Sequence, residues 1–301
     1  MTNNTSTTPP SATLQVPYRR PFRWPDMLAF YAPRAIGGVE AVQDGTWRRA
    51  VRVGAATGVV EVEDDPAAAV LRARVWLSES DDSVLDRVCQ HLARIFDLDT
   101  ETEQIDALLA TDPLLADDVA ARPGVRIPGS WDAFETAVRA VVGQQISVAG
   151  ARTIVGRIAA TWGTAVKEAP DDGVTTIFPD PEALADAGLE QVGVIRTRAQ
   201  TIRTIAAMLC DEPDLLSAQH PTDEVVARLL AIRGIGPWTA NYIALRALGD
   251  PDAFPVADLG LQRALDVADL AAAAERWRPW RGYVAIRLWT GFAPSTSAAK
   301  R

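Results

Sequence analysis

The 301-residue chain is 48% hydrophobic and carries a formal net charge of −9. That length and apolar content suit a large core divided over about two domains, and no run of roughly 18 apolar residues exists to cross a bilayer. Two cysteines and two histidines, scattered along the chain, are too few for a zinc site, a haem or an iron–sulfur cluster, and the acidic balance argues mildly against a nucleic-acid partner.

The N-terminal residues 1–13, polar and uncharged, read as a disordered tail rather than a signal peptide, which places the protein in the cytoplasm. PFRWPDMLAFYAPRAI then reads as a loop entering a short helix. TWRRAVRVGAATGVVEVEDD and AVLRARVWLS alternate apolar residues, with breaks at Gly54 and Gly58, and predict antiparallel strands. SVLDRVCQHLARIFDL changes to a helical period, with Leu85, Val88, Leu92, Ile95 and Phe96 on one stripe. Residues 14–100 therefore form an N-terminal α+β domain. Cys89 and His91, two apart, point different ways on that helix and read as packing or surface residues.

From residue 101 to 301 the pattern is helical. Glu101 to Arg122 is acidic and helix-like, with no functional signal. Arg122 to Gly129 reads as a Pro/Gly-punctuated linker, and Ser130 as the N-cap of the next helix, with Asp132 and Glu135 in its first turn. Gly143, Gln144 and Gln145 interrupt that run. Two further helices separated near Gly193 follow in IFPDPEALADAGLEQVGVIRTRAQTIRTIAAML. ERWRPWRGYVAIRLW closes the folded part.

The chemistry concentrates near the C-terminus. Residues 228–301 hold ten Lys or Arg against six Asp or Glu, so the acidic average conceals a basic end. VVARLLAIRGIGPWTANYIALRAL reads as helix, turn, helix: Gly234 and Gly236 supply the turn and Pro237 suits the first helical position. Backbone N–H groups at such a helix start can hold a phosphate without a lysine; an ordinary helix–helix turn is the commoner use. Trp238 and Tyr242, four apart, share a helix face, where core packing is the usual role and base stacking the alternative. Asp258, between FPVA and LGLQRAL, reads as an N-cap carboxylate, a role that does not exclude chemistry.

In this order, a hairpin, GIGPWTANY, about twenty residues and a capping Asp after FP, the chain resembles the helix-hairpin-helix DNA glycosylases. Within them it is most similar to the bacterial 3-methyladenine DNA glycosylase II family, from PYRRPFRWPDMLAFYAPRAI through RPGVRIPGSWDAFETAVRAVVGQQIS to RWRPWRGYVAIRLW. The resemblance implies an α+β fold: an N-terminal antiparallel sheet domain, then a two-lobed helical region with the active-site cleft between its subdomains. It implies Asp258 as the catalytic carboxylate, and an aromatic pocket of Trp238, Tyr242, Trp289 and Phe30 with Gln144 near the extruded base. Gln145 takes the position of the wedge that fills the gap left in the duplex. The amides of Gly234, Gly236 and Thr239 would hold a DNA phosphate, and the carbonyls of Leu230, Ile232 and Ile235 a structural monovalent cation.

No other cofactor is required. The implied partner is double-stranded DNA containing damaged bases, met by a monomer. No lysine stands at position 238, which argues for hydrolysis without Schiff-base strand cleavage. Ala257, Leu259 and Gly260 depart from the family pattern and bear on the pocket's shape. The activity so implied is excision of alkylated bases such as 3-methyladenine and 7-methylguanine. A non-catalytic helix-hairpin-helix damage-binding protein and a glycosylase for oxidised or deaminated bases are the alternatives.

Overall fold

The computed structural model describes residues 8–167, 170, 173–217, 219–265, 267 and 269–291. Residues 1–7 of the expected tail, and Lys300 and Arg301 of the basic end, lie outside it. Ala12 and Thr13, expected in that tail, instead pair with Val75 and Arg74 in a strand.

The N-terminal domain runs β1 (Ala12–Pro17), α1 (Trp24–Tyr31), β2 (Glu40–Gln43), β3 (Thr46–Val53), β4 (Ala56–Asp65), β5 (Val70–Leu77) and α2 (Asp82–Ile95). Its strands form one antiparallel sheet in the order β1-β5-β4-β3-β2. One face packs on α1 and α2 through Trp47, Val60, Val62, Leu71, Val88 and Leu92. The other packs Ala50, Val59 and Trp76 against Val174 and Ile177, so both faces of the central strands are covered, and Val59, Val60 and Val62 of β4 are all buried although they point to opposite faces. Gly58, expected to break a strand, lies inside β4 opposite Val51 and Leu77. A Cβ there would run into the Trp76 carbonyl, so it marks close backbone approach rather than a turn.

The helical region follows as α3 (Thr102–Leu109), α4 (Ala116–Ala121), α5 (Ala133–Val142) and α6 (Val148–Trp162), then the two-residue strands β6 (Thr164–Ala165) and β7 (Thr176–Ile177). The chain continues through α7 (Pro181–Leu184), α8 (Arg196–Asp211), α9 (Thr222–Leu230), α10 (Pro237–Ile243), α11 (Leu259–Leu265), α12 (Leu270–Ala274) and α13 (Arg281–Gly291). Helix α5 is buried nearly all round, between α8, α10 and α6.

One expectation is corrected here and two are sharpened. Asp132, not Ser130, caps α5, its Oδ1 accepting from the Glu135 amide at 2.6 Å. Ser130 instead donates to the Arg246 carbonyl at 3.2 Å, and Trp131 packs into the sheet domain's core and stacks on His91 at 4.7 Å, which delays the helix start. Of the two helices expected on either side of Gly193, the first is only the four-residue α7, followed by a 3-10 turn, Leu189–Val192. The linker Arg122 to Gly129 carries no helix or strand, but it is packed inside rather than loose: Val125, Arg126 and Ile127 are buried, and the Arg126 guanidinium donates to the carbonyls of Asp97, Thr100 and Arg19.

The acidic stretch after residue 101 also finds its role. Arg287 of α13 is 1% exposed and pairs with Asp106 of α3 and, at 3.0 Å, with Asp118 of α4. Asp118 also binds Arg122, which donates to the Arg287 carbonyl at 2.7 Å. Removing one partner of a buried ion pair strands the other's charge. Arg287→Met is therefore expected to destabilise the protein by about 3 to 5 kcal/mol in urea unfolding.

Candidate active site

Helices α9 and α10 are joined by the turn Ala231–Gly236, and Gly234 sits at φ +97°, where an L side chain is disfavoured. A Cβ there would also strike the Thr201 hydroxyl. That hydroxyl donates to the Arg233 carbonyl at 2.9 Å, so the turn is fastened to α8. Gly236 has open space where a Cβ would stand, leaving the approach to the start of α10 unobstructed. Thr239 is buried. The Ile232 carbonyl accepts the Ile235 amide at 3.1 Å within the turn, and Leu230 closes α9.

Helix α10 presents Trp238 and Tyr242 as a stacked pair, with centroids 5.3 Å apart and planes at 16°. Trp289, delivered by α13, lies 6.0 Å from Tyr242 at 50°. Asp258 stands at the start of α11. Its Oδ1 accepts from the Leu261 amide at 2.9 Å, as a cap should, and from Trp289 Nε1 at 3.1 Å. Its Oδ2 accepts from Trp238 Nε1 at 2.8 Å. Three N–H donors from three helices thus fix one half-buried carboxylate. Gly260 makes this approach possible, because a Cβ there would stand 2.9 Å from Asp258 Oδ1 and 3.8 Å from Trp289.

These four residues line a cavity of about 320 Å³, within the size of a small-molecule site. Its far walls come from the N-terminal domain, through Tyr31, Arg34, Glu40 and Arg49, and from α5 through Glu135 and Arg139. Two expected pocket residues are placed elsewhere. Phe30 is buried, with Arg34 and Arg246 over its ring at 3.9 and 4.4 Å, and does not line the cavity. Gln144 braces the hairpin, its carboxamide donating to the Gly234 carbonyl at 2.9 Å and to Thr239 Oγ1 at 3.0 Å. Neighbouring Gln145 is exposed at φ +56°. Ile146 and Val148 beside it are exposed and reach the cavity rim.

Sequence reasoning missed the cationic floor. Arg246 is buried, bonded to the Pro128 and Gly129 carbonyls, and its Nη1 donates to the Tyr242 hydroxyl at 3.0 Å. Arg246 is four residues after Tyr242, a spacing that could have flagged it; Arg34 and Arg139 carry no such signal. Burial opposes ionisation of Tyr242, yet the charges of Arg246, Arg34 and Arg139 outweigh it and lower its pKa.

An aromatic slot over a capping carboxylate, entered beside a glycine hairpin, places the chain among helix-hairpin-helix base-excision folds. Residues 138–276 match the model described as HhH-GPD superfamily base excision DNA repair protein, and residues 13–132 match the AlkA N-terminal domain. DNA-3-methyladenine glycosylase 2 of Escherichia coli is 32% identical over 278 residues, 90% of this chain and 95% of that protein. The chain belongs to this AlkA family of the HhH-GPD superfamily. A Mycobacterium tuberculosis relative, named probable bifunctional transcriptional activator/DNA repair enzyme AlkA, is 38% identical over 287 residues; this chain spans 93% of its own length but only 57% of that protein. In fold, a 3-methyladenine DNA-glycosylase from Archaeoglobus fulgidus superposes with a TM-score of 0.77 at 22% identity, covering 93% of this chain and 98% of that one.

The four tyrosines provide a check on the floor. Burial pushes Tyr31 and Tyr283 upward, and burial with the Asp64 hydrogen bond pushes Tyr18 up to about 12. Absorbance titration at alkaline pH is expected to show one tyrosine ionising below the ordinary value of about 10, and Tyr242→Phe to remove that step. Because this pKa is lowered on folding, its contribution to stability appears as pH rises through the folded value and is complete above the unfolded one.

Proposed function

We propose that the chain is a monofunctional DNA glycosylase that extrudes alkylated bases such as 3-methyladenine and 7-methylguanine from duplex DNA and hydrolyses their N-glycosidic bond. The observation that carries this reading is the Asp258 carboxylate, held by two indole N–H groups at the edge of the slot those same rings wall.

The extruded base stacks against Trp238, Tyr242 and Trp289. A ring-methylated purine is cationic and gains roughly 1 to 2 kcal/mol from the ring faces, about fivefold to thirtyfold in selectivity. The rest lies in the bond, since a cationic base departs neutral. As it leaves, the sugar gains oxocarbenium character, and two charges about 4 Å apart interact by roughly 4 kcal/mol at an effective dielectric of 20. Asp258 supplies that anion and also orients the attacking water. Among the described residues no lysine lines the cavity, which supports hydrolysis over Schiff-base chemistry.

The DNA is gripped at the hairpin, where the amides of Gly234, Gly236 and Thr239 take a backbone phosphate. The carbonyls of Leu230, Ile232 and Ile235 would hold a monovalent cation that offsets their dipoles; no other cofactor enters. Gln145, at the tip of a loop braced by Gln144 and by Arg198 on the Gln144 carbonyl, enters the space vacated in the duplex. A lesion site has no two-fold symmetry, so one copy of the chain suffices. Among the described residues no helix is long and apolar enough to cross a membrane.

Asp258→Asn keeps the shape and one oxygen for the cap but removes the charge and the acceptor of one indole N–H. Release of 3-methyladenine from methylated duplex is expected to fall roughly 10³-fold, the kinetic equivalent of about 4 kcal/mol. Release at the wild-type rate overturns the reading, and binding to abasic DNA with no free base released at all favours a non-catalytic damage-binding protein.

A further inference from the structure

The floor of the slot holds more positive charge than a cationic base needs. Tyr242 Oη accepts from Arg246 Nη1 at 3.0 Å, and the charges of Arg34 and Arg139 act on the same oxygen. All three guanidinium groups are anchored: Arg34 on the Phe30 carbonyl at 2.8 Å, Arg139 on the Arg34 carbonyl at 2.6 Å, and Arg246 on the Gly129 carbonyl at 2.8 Å. Arg139 is answered by Glu135 and Glu40. The hydrogen bonds of Arg34 and Arg246 go to backbone carbonyls and the phenol. Arg49, Arg152 and Asp132 also line the slot, and Asp258 is held by Trp238 and Trp289 at its mouth.

Such a floor opposes a base that is already positive. It favours one that acquires negative charge as its bond breaks, as a neutral base does. The lone pair of Tyr242 Oη facing Arg246 is occupied, which turns the phenolic hydrogen toward another acceptor, and the ring itself lines the slot.

We infer that Tyr242 is a catalytic residue for neutral bases, donating its phenolic proton to the departing base while Arg34 and Arg246 stabilise the phenolate. This rests on the glycosylase reading and adds a leaving-group acid to it. The C1′–N bond breaks and its electron pair goes to the base. The proton on Tyr242 Oη passes to a ring nitrogen or carbonyl oxygen of that base. Water bonds to C1′ and releases one proton, taken up by Asp258 and returned through solvent to the phenolate. One water is consumed, and the products are the free base and an abasic sugar.

The test compares single-turnover excision of 1,N6-ethenoadenine, a neutral base, with that of 3-methyladenine, a cationic one, between pH 6 and pH 10. Tyr242→Phe is expected to lower the ethenoadenine to 3-methyladenine rate ratio at least tenfold. In the wild type, ethenoadenine release should fall as pH rises through the phenol's lowered pKa, a dependence lost in the variant and absent from 3-methyladenine release. Arg34→Gln, which leaves the ring wall in place, should lower the same ratio. An equal loss on both lesions in Tyr242→Phe reduces the tyrosine to a stacking wall and overturns the inference, as does wild-type release of 3-methyladenine without ethenoadenine. Release of neither base by the wild type refutes the glycosylase reading itself.

Discussion

A carboxylate set beside stacked aromatic rings must satisfy its oxygens without losing its charge, and here the rings supply the donors. Trp238 comes from the helix after the hairpin, Trp289 from the C-terminal helix, and the third donor is the amide of Leu261 in the helix that Asp258 itself begins. Each indole therefore walls the cavity with its face and fixes the anion with its edge. The hairpin and the carboxylate are joined directly through Trp238, so an element suited to gripping a phosphate and the group suited to the sugar are tied by one hydrogen bond. Gly260 is the local condition for this, because a side chain there would crowd the carboxylate that Trp289 binds.

The rest of the molecule holds those helices in place. Trp289 is two residues beyond Arg287, whose guanidinium is clamped by Asp106 and Asp118, so the acidic helices α3 and α4 set the depth of α13. On the other side α1 spans both cores: Phe30 packs with the helical region, while Met27 and Tyr31 pack with the sheet domain. The Tyr31 hydroxyl donates toward the Ile95 and Gly129 carbonyls at 2.9 and 3.0 Å. The sheet domain thus closes the back of the cavity, which explains a helical site that depends on an N-terminal sheet.

Local rules made much of this legible. Glycines at 234 and 236 before Pro237 announced the hairpin, the i, i+4 spacing announced the Trp238 and Tyr242 pair, and the position of Asp258 before LGLQ announced its cap. What stayed hidden was set by long-range packing. Nothing local tells Ser130 from Asp132 as a cap when Trp131 is drawn into a distant core, and Gly58 looks like a turn glycine until the neighbouring strand is placed against it. Phe30 and Gln144 have pocket-like chemistry, but one is covered by two arginines and the other spends its amide on the hairpin. The cationic floor draws on residues 34, 139 and 246, brought together only by the fold.

The central claim is that Asp258 sits where positive charge develops on the sugar, and affinity for uncleavable abasic analogues measures that without turnover. A duplex carrying a pyrrolidine ring, cationic at neutral pH, should bind at least about a hundredfold more tightly than one carrying the neutral tetrahydrofuran ring, about 2.7 kcal/mol. In Asp258→Asn that preference should vanish while tetrahydrofuran binding persists. Equal affinity of the wild-type protein for the two rings, or a preference that survives the substitution, would contradict the account.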